Sequence, residues 1–221
     1  MKELIVSWSG GKDSAFALQQ LINNKEYKVR GLLSSTSLES ERLPIHEVTR
    51  QLIYTQAEAL GFPLYEVQLP SMISNEKYEL EMARQFTDLK SNGIHAIAYA
   101  DLYLEDIKEY RDRLLQRSGM CGIYPLWKKD TAAVANQFLE KGFEAVVTTV
   151  DTEKLPEECV GRKFTKEFLS SLPANVDPCG ENGEFHTFVY NGPIFNKKVE
   201  FTIGEIFRTF KGRFVHCDLN K

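Results

Sequence analysis

The chain has no Cys-x-x-Cys pair and no large excess of either charge. It also has no uninterrupted apolar run that reaches the roughly 18 residues of a membrane span. Each absence excludes something. The four cysteines, Cys121, Cys159, Cys179 and Cys217, stand apart, which removes the common zinc-knuckle and dithiol redox spacings. Each reads as a small, half-buried hydrophobe with a free thiol. The apolar Leu4-Ile5-Val6 is short, and Lys12 and Asp13 follow soon after. Neither a membrane anchor nor a signal-peptide core is expected, and the protein reads as cytoplasmic. A formal net charge of −4 gives no field of the kind a dedicated nucleic-acid binder carries. What is present is 43% hydrophobic residues in 221. That is enough core for one domain, or for a main domain with a smaller companion. Monomer and homodimer both remain open.

The first half alternates apolar runs with helical patterns. Strands are expected at 4–8, 27–33, 64–69 and 94–99, and helices after the Gly10-Gly11 pair, at 47–60, 75–91 and 105–117. Gly61 sits where a left-handed cap belongs. A further helix is expected at 132–141 and a strand at 144–149. This rhythm predicts an α/β fold, a doubly wound parallel sheet covered on both faces, with ligands at the carboxyl ends of its strands. Residues 9–14, 34–36 and 100–101 follow strands and should converge there. The last third reads as a smaller α+β domain, with one helix at 161–172 and antiparallel strands at 185–190, 198–203 and 208–215. The expected domains are 1–127 and 128–221.

Ser9-Gly10-Gly11-Lys12-Asp13-Ser14 lies between the first strand and the first helix. Two glycines let the backbone turn tightly and aim successive N–H groups at one point. The helix start adds unpaired N–H groups and the positive end of its dipole. The Ser9 and Ser14 hydroxyls can donate to phosphate oxygens, Lys12 brings a charge, and Asp13 can cap the helix or help hold a magnesium ion. The spacing is neither that of a Walker loop nor that of a dinucleotide fingerprint.

The loop resembles the signature of the PP-loop ATP pyrophosphatases, Ser-Gly-Gly-x-Asp-Ser. Two further segments narrow the resemblance. One runs from Tyr99-Ala100-Asp101 through Tyr110-Arg111 to Pro125-Leu126-Trp127. The other is Asp177-Pro178-Cys179-Gly180-Glu181-Asn182-Gly183-Glu184-Phe185-His186-Thr187-Phe188. With the loop they resemble the diphthine–ammonia ligase (diphthamide synthase) family, from Leu4 to about Phe195. The resemblance implies a fold of the adenine nucleotide alpha-hydrolase (HUP) kind, ATP and Mg2+ as cofactors, and ATP-driven amidation. A substrate carboxylate attacks the α-phosphate and releases pyrophosphate, and ammonium then displaces AMP. Founding members act on a modified histidine of an elongation factor. Their pattern reads closer to Gly-Glu-Gly-Gly-Glu-Phe-Glu-Thr. Here Asn182 stands for a Gly and His186 for a Glu, which looks like a bacterial branch and leaves the carboxylate-bearing acceptor open, protein side chain or metabolite. No glutaminase-like segment is visible, so the expected nitrogen donor is free ammonium.

On that resemblance Glu181, Glu184 and Asp101 are the catalytic candidates. Ser9 to Ser14 form the nucleotide cradle, Asn182, His186 and Tyr110 are substrate contacts, and Asp13 and Asp101 are magnesium ligands. Simpler alternatives stand beside these roles: a solvated acidic turn for 181–184, a left-handed turn for Asn182, a hydrogen-bonded structural histidine for His186 and a packed Tyr110. His46 reads as a helix cap. The acidic element is expected to fold near Asp101, and Glu184→Gln to keep ATP affinity but lose amide formation. Two other readings compete: a PP-loop enzyme acting on tRNA, and a non-catalytic adenine-nucleotide binder. Lys12→Ala is expected to weaken ATP binding by roughly 1.5–3 kcal/mol. Calorimetry showing unchanged affinity in the folded variant would remove Lys12 from the phosphate contacts.

Overall fold

The computed structural model describes all 221 residues. In chain order its elements are β1 (Lys2–Ser7), α1 (Lys12–Asn23), β2 (Tyr27–Ser37), α2 (Arg50–Leu60), β3 (Leu64–Leu69), α3 (Asn75–Ser91), β4 (Ala96–Ala98), α4 (Glu105–Arg117) and β5 (Cys121–Ile123). Then come α5 (Thr131–Glu140), β6 (Glu144–Asp151), α6 (Lys166–Ser171), β7 (Phe185–Asn191), β8 (Thr202–Thr209) and β9 (Phe214–Asn220). The chain forms two compact units. One comprises Met1–Ser9, Asp13–Pro44 and Phe62–Lys128, and the other Gly10–Lys12, Ile45–Gly61 and Lys129–Lys221.

The first unit is built on a five-stranded sheet in the order β3-β2-β1-β4-β5, parallel throughout. Leu4, Ile5, Val6, Ala96, Ile97 and Ala98 are essentially sealed from solvent, as continuous apolar strands covered on both faces should be. Strand order reverses between β1 and β4. That switch point is where an open α/β sheet leaves a crevice beyond its carboxyl ends, so the chain leaving β1 and the chain leaving β4 flank one cleft. On one side of the sheet Phe86, Leu89, Leu115 and Met120 pack against Ile5 and Ile97. Residues 34–36 are not a loop but part of β2, because Ser34 to Ser37 continue the pairing with β3.

The second unit holds an antiparallel sheet in the order β7-β6-β9-β8. β6, which the helix–strand rhythm places with the parallel sheet, pairs antiparallel with both β7 and β9. Arg213 grips the end of β6 through Asp151, with Nη2 to Oδ2 at 2.6 Å. An aromatic cluster of Phe138, Phe164, Phe168 and Phe185 fills its core. Gly61 does close α2 in the left-handed region, at φ 76°.

Several element boundaries differ from the sequence expectation, and three of the differences have a clear cause in local hydrogen bonding or register. The helix at 47–60 begins only at Arg50, because Thr49 caps it by accepting from Leu52 N and Glu47 lies at φ 54°. The helix at 161–172 shrinks to α6. Gly161 N donates to Val147 O at 2.8 Å and Phe164 N to Ala145 O at 2.8 Å, which keep this stretch extended beside β6 until Thr165 caps the helix. The last two strands lie later than expected, at 202–209 and 214–220. Their turn is Phe210–Gly212, while Gly204 sits inside β8 where the register with β9 slips.

Gly31 marks a tight join between β2 and the start of β3. A Cβ there would lie 2.7 Å from Pro63 O and 2.9 Å from Tyr65 Cε2, and Pro63 O is already the acceptor for Leu32 N. Gly31→Ala is expected to cost roughly 1–3 kcal/mol of stability, read as a lower urea midpoint.

Candidate active site

The Ser9–Ser14 loop divides its packing: Ser9, Asp13 and Ser14 belong with the first unit, Gly10, Gly11 and Lys12 with the second. In the first unit the Ser9 and Ser14 hydroxyls lie 3.3 Å apart. Ser34 Oγ donates to Trp8 O at 2.6 Å, and Trp8 N to Leu33 O at 2.8 Å, so the strand entering the loop is held by β2. A cleft of about 510 Å3 opens beside it, lined among others by Ser7, Ser35, Val67, Tyr99, Tyr110 and Arg111. Tyr110, expected as a substrate contact, is thus on the cleft wall.

Asp101, just past β4, has only 14% of its side chain exposed and meets Arg111 Nη2 at 3.2 Å. The Arg111 guanidinium lies 4.2 Å from the Tyr99 ring centre. Burial pushes the Asp101 carboxyl pKa up, Arg111 pulls it back, and Asp112 and Asp13 raise it further. Asp101 Oδ2 is buried and has no hydrogen-bond partner. A carboxylate oxygen so placed, sensing a second carboxylate from Asp13, gains from any cation brought between them.

In the second unit the glycine half of the loop is pinned to β7. Gly10 O accepts from Val189 N at 2.9 Å and from Gln56 Nε2 at 3.0 Å, and the same Gln56 nitrogen reaches Val189 O at 2.5 Å. Gly10 is at φ 77°, and a Cβ would lie 2.8 Å from Ile53 Cδ1 and 2.9 Å from Gln56 Oε1, so only glycine fits. Lys12 N donates to Thr187 Oγ1 at 3.0 Å. The Lys12 ammonium is buried, donates to Cys179 O and lies 5.1 Å from the Phe185 ring centre. Lys12 therefore ties the loop to the turn that carries Glu181 and Glu184.

That turn is organised by its own acids. Asp177 Oδ1 accepts from Cys179 N at 2.8 Å and Glu181 N at 3.2 Å. Glu184 is 2% exposed. Its Oε1 accepts from Asp177 N at 3.1 Å and Asn182 Nδ2 at 3.0 Å, and its Oε2 from Asn182 N at 3.0 Å. Gly180, at φ 67°, lets the chain pass within contact of Phe185 O. The buried Glu184 thus holds the exposed Asn182 by side chain and backbone, and Glu181 is a partly exposed carboxylate on the same turn. His46 lies four residues before α2 rather than capping it, and its ring packs on His186 with centroids 4.2 Å apart.

A model of the diphthamide synthase N-terminal domain matches residues 1–122, and one of the diphthamide synthase C-terminal domain matches residues 130–221. The chain belongs to the diphthamide synthase family. Relatives carry the name diphthine–ammonia ligase. The zebrafish Danio rerio protein is 26% identical over 211 residues, covering 86% of this chain and 83% of its own length. The Homo sapiens protein is 23% identical over 219 residues, covering 86% and 79%. The Schizosaccharomyces pombe protein is 24% identical over 217 residues, 90% of this chain but only 36% of that longer protein.

Gln56 and Thr187 escaped the sequence reading, although Gln56 lies under the N-terminal and Thr187 under the C-terminal domain match. Gln56 stands in no recognisable motif, Thr187 lies in the 177–188 segment with no role of its own assigned there, and their partners in the loop are 46 and 175 positions away. Thr187→Val keeps shape and removes only the acceptor for Lys12 N. It is expected to weaken ATP binding about 3- to 10-fold, the scale of one net hydrogen bond, as measured by calorimetry.

Proposed function

We propose that the protein is an ATP-dependent carbon–nitrogen ligase of the diphthine–ammonia ligase type. The observation that carries this reading is the Ser9–Ser14 loop at the carboxyl end of β1, beside the switch point of a parallel sheet, in a chain matched along nearly its whole length by diphthamide synthase domains. Backbone N–H groups of the loop and the first turn of α1 receive the β- and γ-phosphates. Pre-placed donors there stabilise the pyrophosphate charge as it develops, which makes pyrophosphate the leaving group and directs attack to the α-phosphate. A carboxylate of the acceptor supplies the attacking oxygen and becomes an acyl-adenylate. Ammonia then forms the C–N bond as the C–O bond to AMP breaks.

Asp13 and Asp101 are the proposed magnesium ligands. The fit rests on the buried, unpartnered Asp101 oxygen and its electrostatic coupling to Asp13. No three His, Cys, Asp or Glu side chains gather into a preformed cage, and magnesium asks for none, since one or two carboxylates with substrate phosphates and water suffice. The ion would neutralise phosphate charge. Within the catalytic set Glu181 is the proposed contact to the acceptor. Glu184 is proposed to hold the turn that presents it, and Asn182 serves that turn. Tyr110 and Arg111 are proposed to orient the nucleotide or acceptor in the cleft of the first unit. No helix is long and apolar enough to cross a membrane.

The test is to incubate the protein with ATP, magnesium, ammonium and a cell lysate freed of small molecules. AMP and pyrophosphate are expected as the nucleotide products, together with the small mass loss that marks a carboxylate becoming an amide. Stoichiometric ADP and phosphate would rule the adenylating reaction out.

A further inference from the structure

An amidation that draws on free ammonium needs a place that takes the nitrogen and removes its proton. Glu184 does not supply it, because its carboxylate already accepts three hydrogen bonds from within the turn, and Glu181 is assigned above to the acceptor. A different cluster in the second unit has the missing property. Three histidines gather there. His216 is satisfied at both ring nitrogens, Nδ1 to Thr149 Oγ1 at 2.9 Å and Nε2 to Thr209 Oγ1 at 2.7 Å. His46 and His186, in ring contact at 4.2 Å, are not. His46 Nδ1 and His186 Nε2 are both buried with no hydrogen-bond partner. Buried polar atoms are nearly always paired in a folded protein, so two orphans on touching rings mark a place that awaits a ligand.

The backbone around this pair is specialised as well. His46 lies between Ile45 at φ 71° and Glu47 at φ 54°. Left-handed backbone at a β-branched residue is a true outlier and persists only where the surroundings enforce it. Thr149 Oγ1 enforces it here, lying 3.3 Å from both Ile45 O and His46 O. The same threonine therefore fixes His216 and the segment that aims His46.

The charge around the pair selects the ligand. Burial first, and then the Lys12 ammonium, hold the His46 pKa down to about 4. Burial, His46, Lys12 and His216 together hold His186 well below its usual value. Both rings are thus neutral, and each offers a lone pair on one nitrogen and a hydrogen on the other. Lys12 and His216 are the charged and titratable neighbours that act on the pair, and neither attracts a cation. A place with acceptor nitrogens and a positive surround favours neutral ammonia over ammonium.

We propose that His46 and His186 form the ammonia site of this enzyme, accepting hydrogen bonds from NH3 at His46 Nδ1 and His186 Nε2. The proposal rests on the ligase reading above. Ammonium sheds one proton to solvent on entering. When NH3 attacks the acyl-adenylate carbonyl, the C–N bond forms and the C–O bond breaks. AMP leaves with the electron pair. Of the three hydrogens of NH3, two stay in the amide and one passes to the His186 imidazole, then to solvent.

The test uses the full chain with 15N-labelled histidine side chains, titrated with NH4Cl, with KCl as the matched cation and sodium acetate as the anion. NH4Cl is expected to shift the His46 and His186 ring nitrogens saturably, leaving His216 still, while the other two salts do nothing. Because a proton is released on binding, the apparent dissociation constant for total ammonium should fall about tenfold per pH unit between pH 6 and 8. His46→Phe, which keeps a ring in the stack, should abolish the response of His186. A silent His pair, an equal response to KCl, a response to acetate instead, a pH-independent affinity, or an undiminished response in His46→Phe would each overturn the proposal. ATP binding by calorimetry on the same samples separates the two readings. ATP binding with silent histidines sinks the ammonia site alone, whereas loss of ATP binding in the parent protein sinks the ligase reading.

Discussion

The backbone seam between Gly10–Lys12 and β7 is the constraint on which the candidate chemistry depends. Gly10 O accepts from Val189 N and Gln56 Nε2, and Lys12 N donates to Thr187 Oγ1. A glycine-rich loop has the most conformational entropy to lose on ordering. Here that loss is met by a strand that is itself the second member of a β6–β7 pair. Gly10–Lys12 are therefore shaped in the free protein, and preorganised donors are what the proposed role on developing charge requires. The seam also explains the burial of Lys12. Its ammonium, committed to Cys179 O and the Phe185 face, links Gly10–Lys12 to the acidic turn, so one residue both belongs to the glycine loop and fixes the segment that carries Glu181.

The acidic turn shows how a conspicuous motif can mix two kinds of residue. Gly-Glu-Asn-Gly-Glu reads as a run of ligand-facing carboxylates. In three dimensions Asp177 and Glu184 are the internal scaffold, accepting turn N–H groups that would otherwise be left unsatisfied. A carboxylate used in this way acts through charge-assisted hydrogen bonds at close range, and replacing it costs the shape of the turn as well as any chemistry. Glu181, one residue past the left-handed Gly180, is left on the partly exposed side.

Much of this was legible in the sequence. The parallel strands expected at 4–8, 64–69 and 94–99 are found at 2–7, 64–69 and 96–98, with the Ser9–Ser14 loop after the first of them and the Gly61 cap in place, because these are local signals set by apolar period and glycine conformation. So does Asp101, because a strand followed by an acid at a sheet's switch point needs only topology to place it. What was hidden depends on distant partners. The helical spacing at 161–172 gives way to an extended stretch because Val147 and Ala145 offer backbone partners. The strand turn moves from Gly204 to Phe210–Gly212 because β9 sets the register. Gln56, Thr187 and the His46–His186 contact join residues 46 to 175 positions apart or across the segment that precedes α2 and the start of β7, which no local pattern encodes.

The central claim is that Gly10–Lys12 and the acidic turn form one hydrogen-bonded body through β7. Amide hydrogen exchange with and without an ATP analogue tests it most directly, since local opening free energies report which segments move together. The account predicts slow exchange at Lys12 and Val189 in the free protein, and a further slowing on nucleotide binding that extends from residues 10–12 through the 177–189 segment. Nucleotide protection confined to the loop, with exchange at 177–189 unchanged, would contradict it.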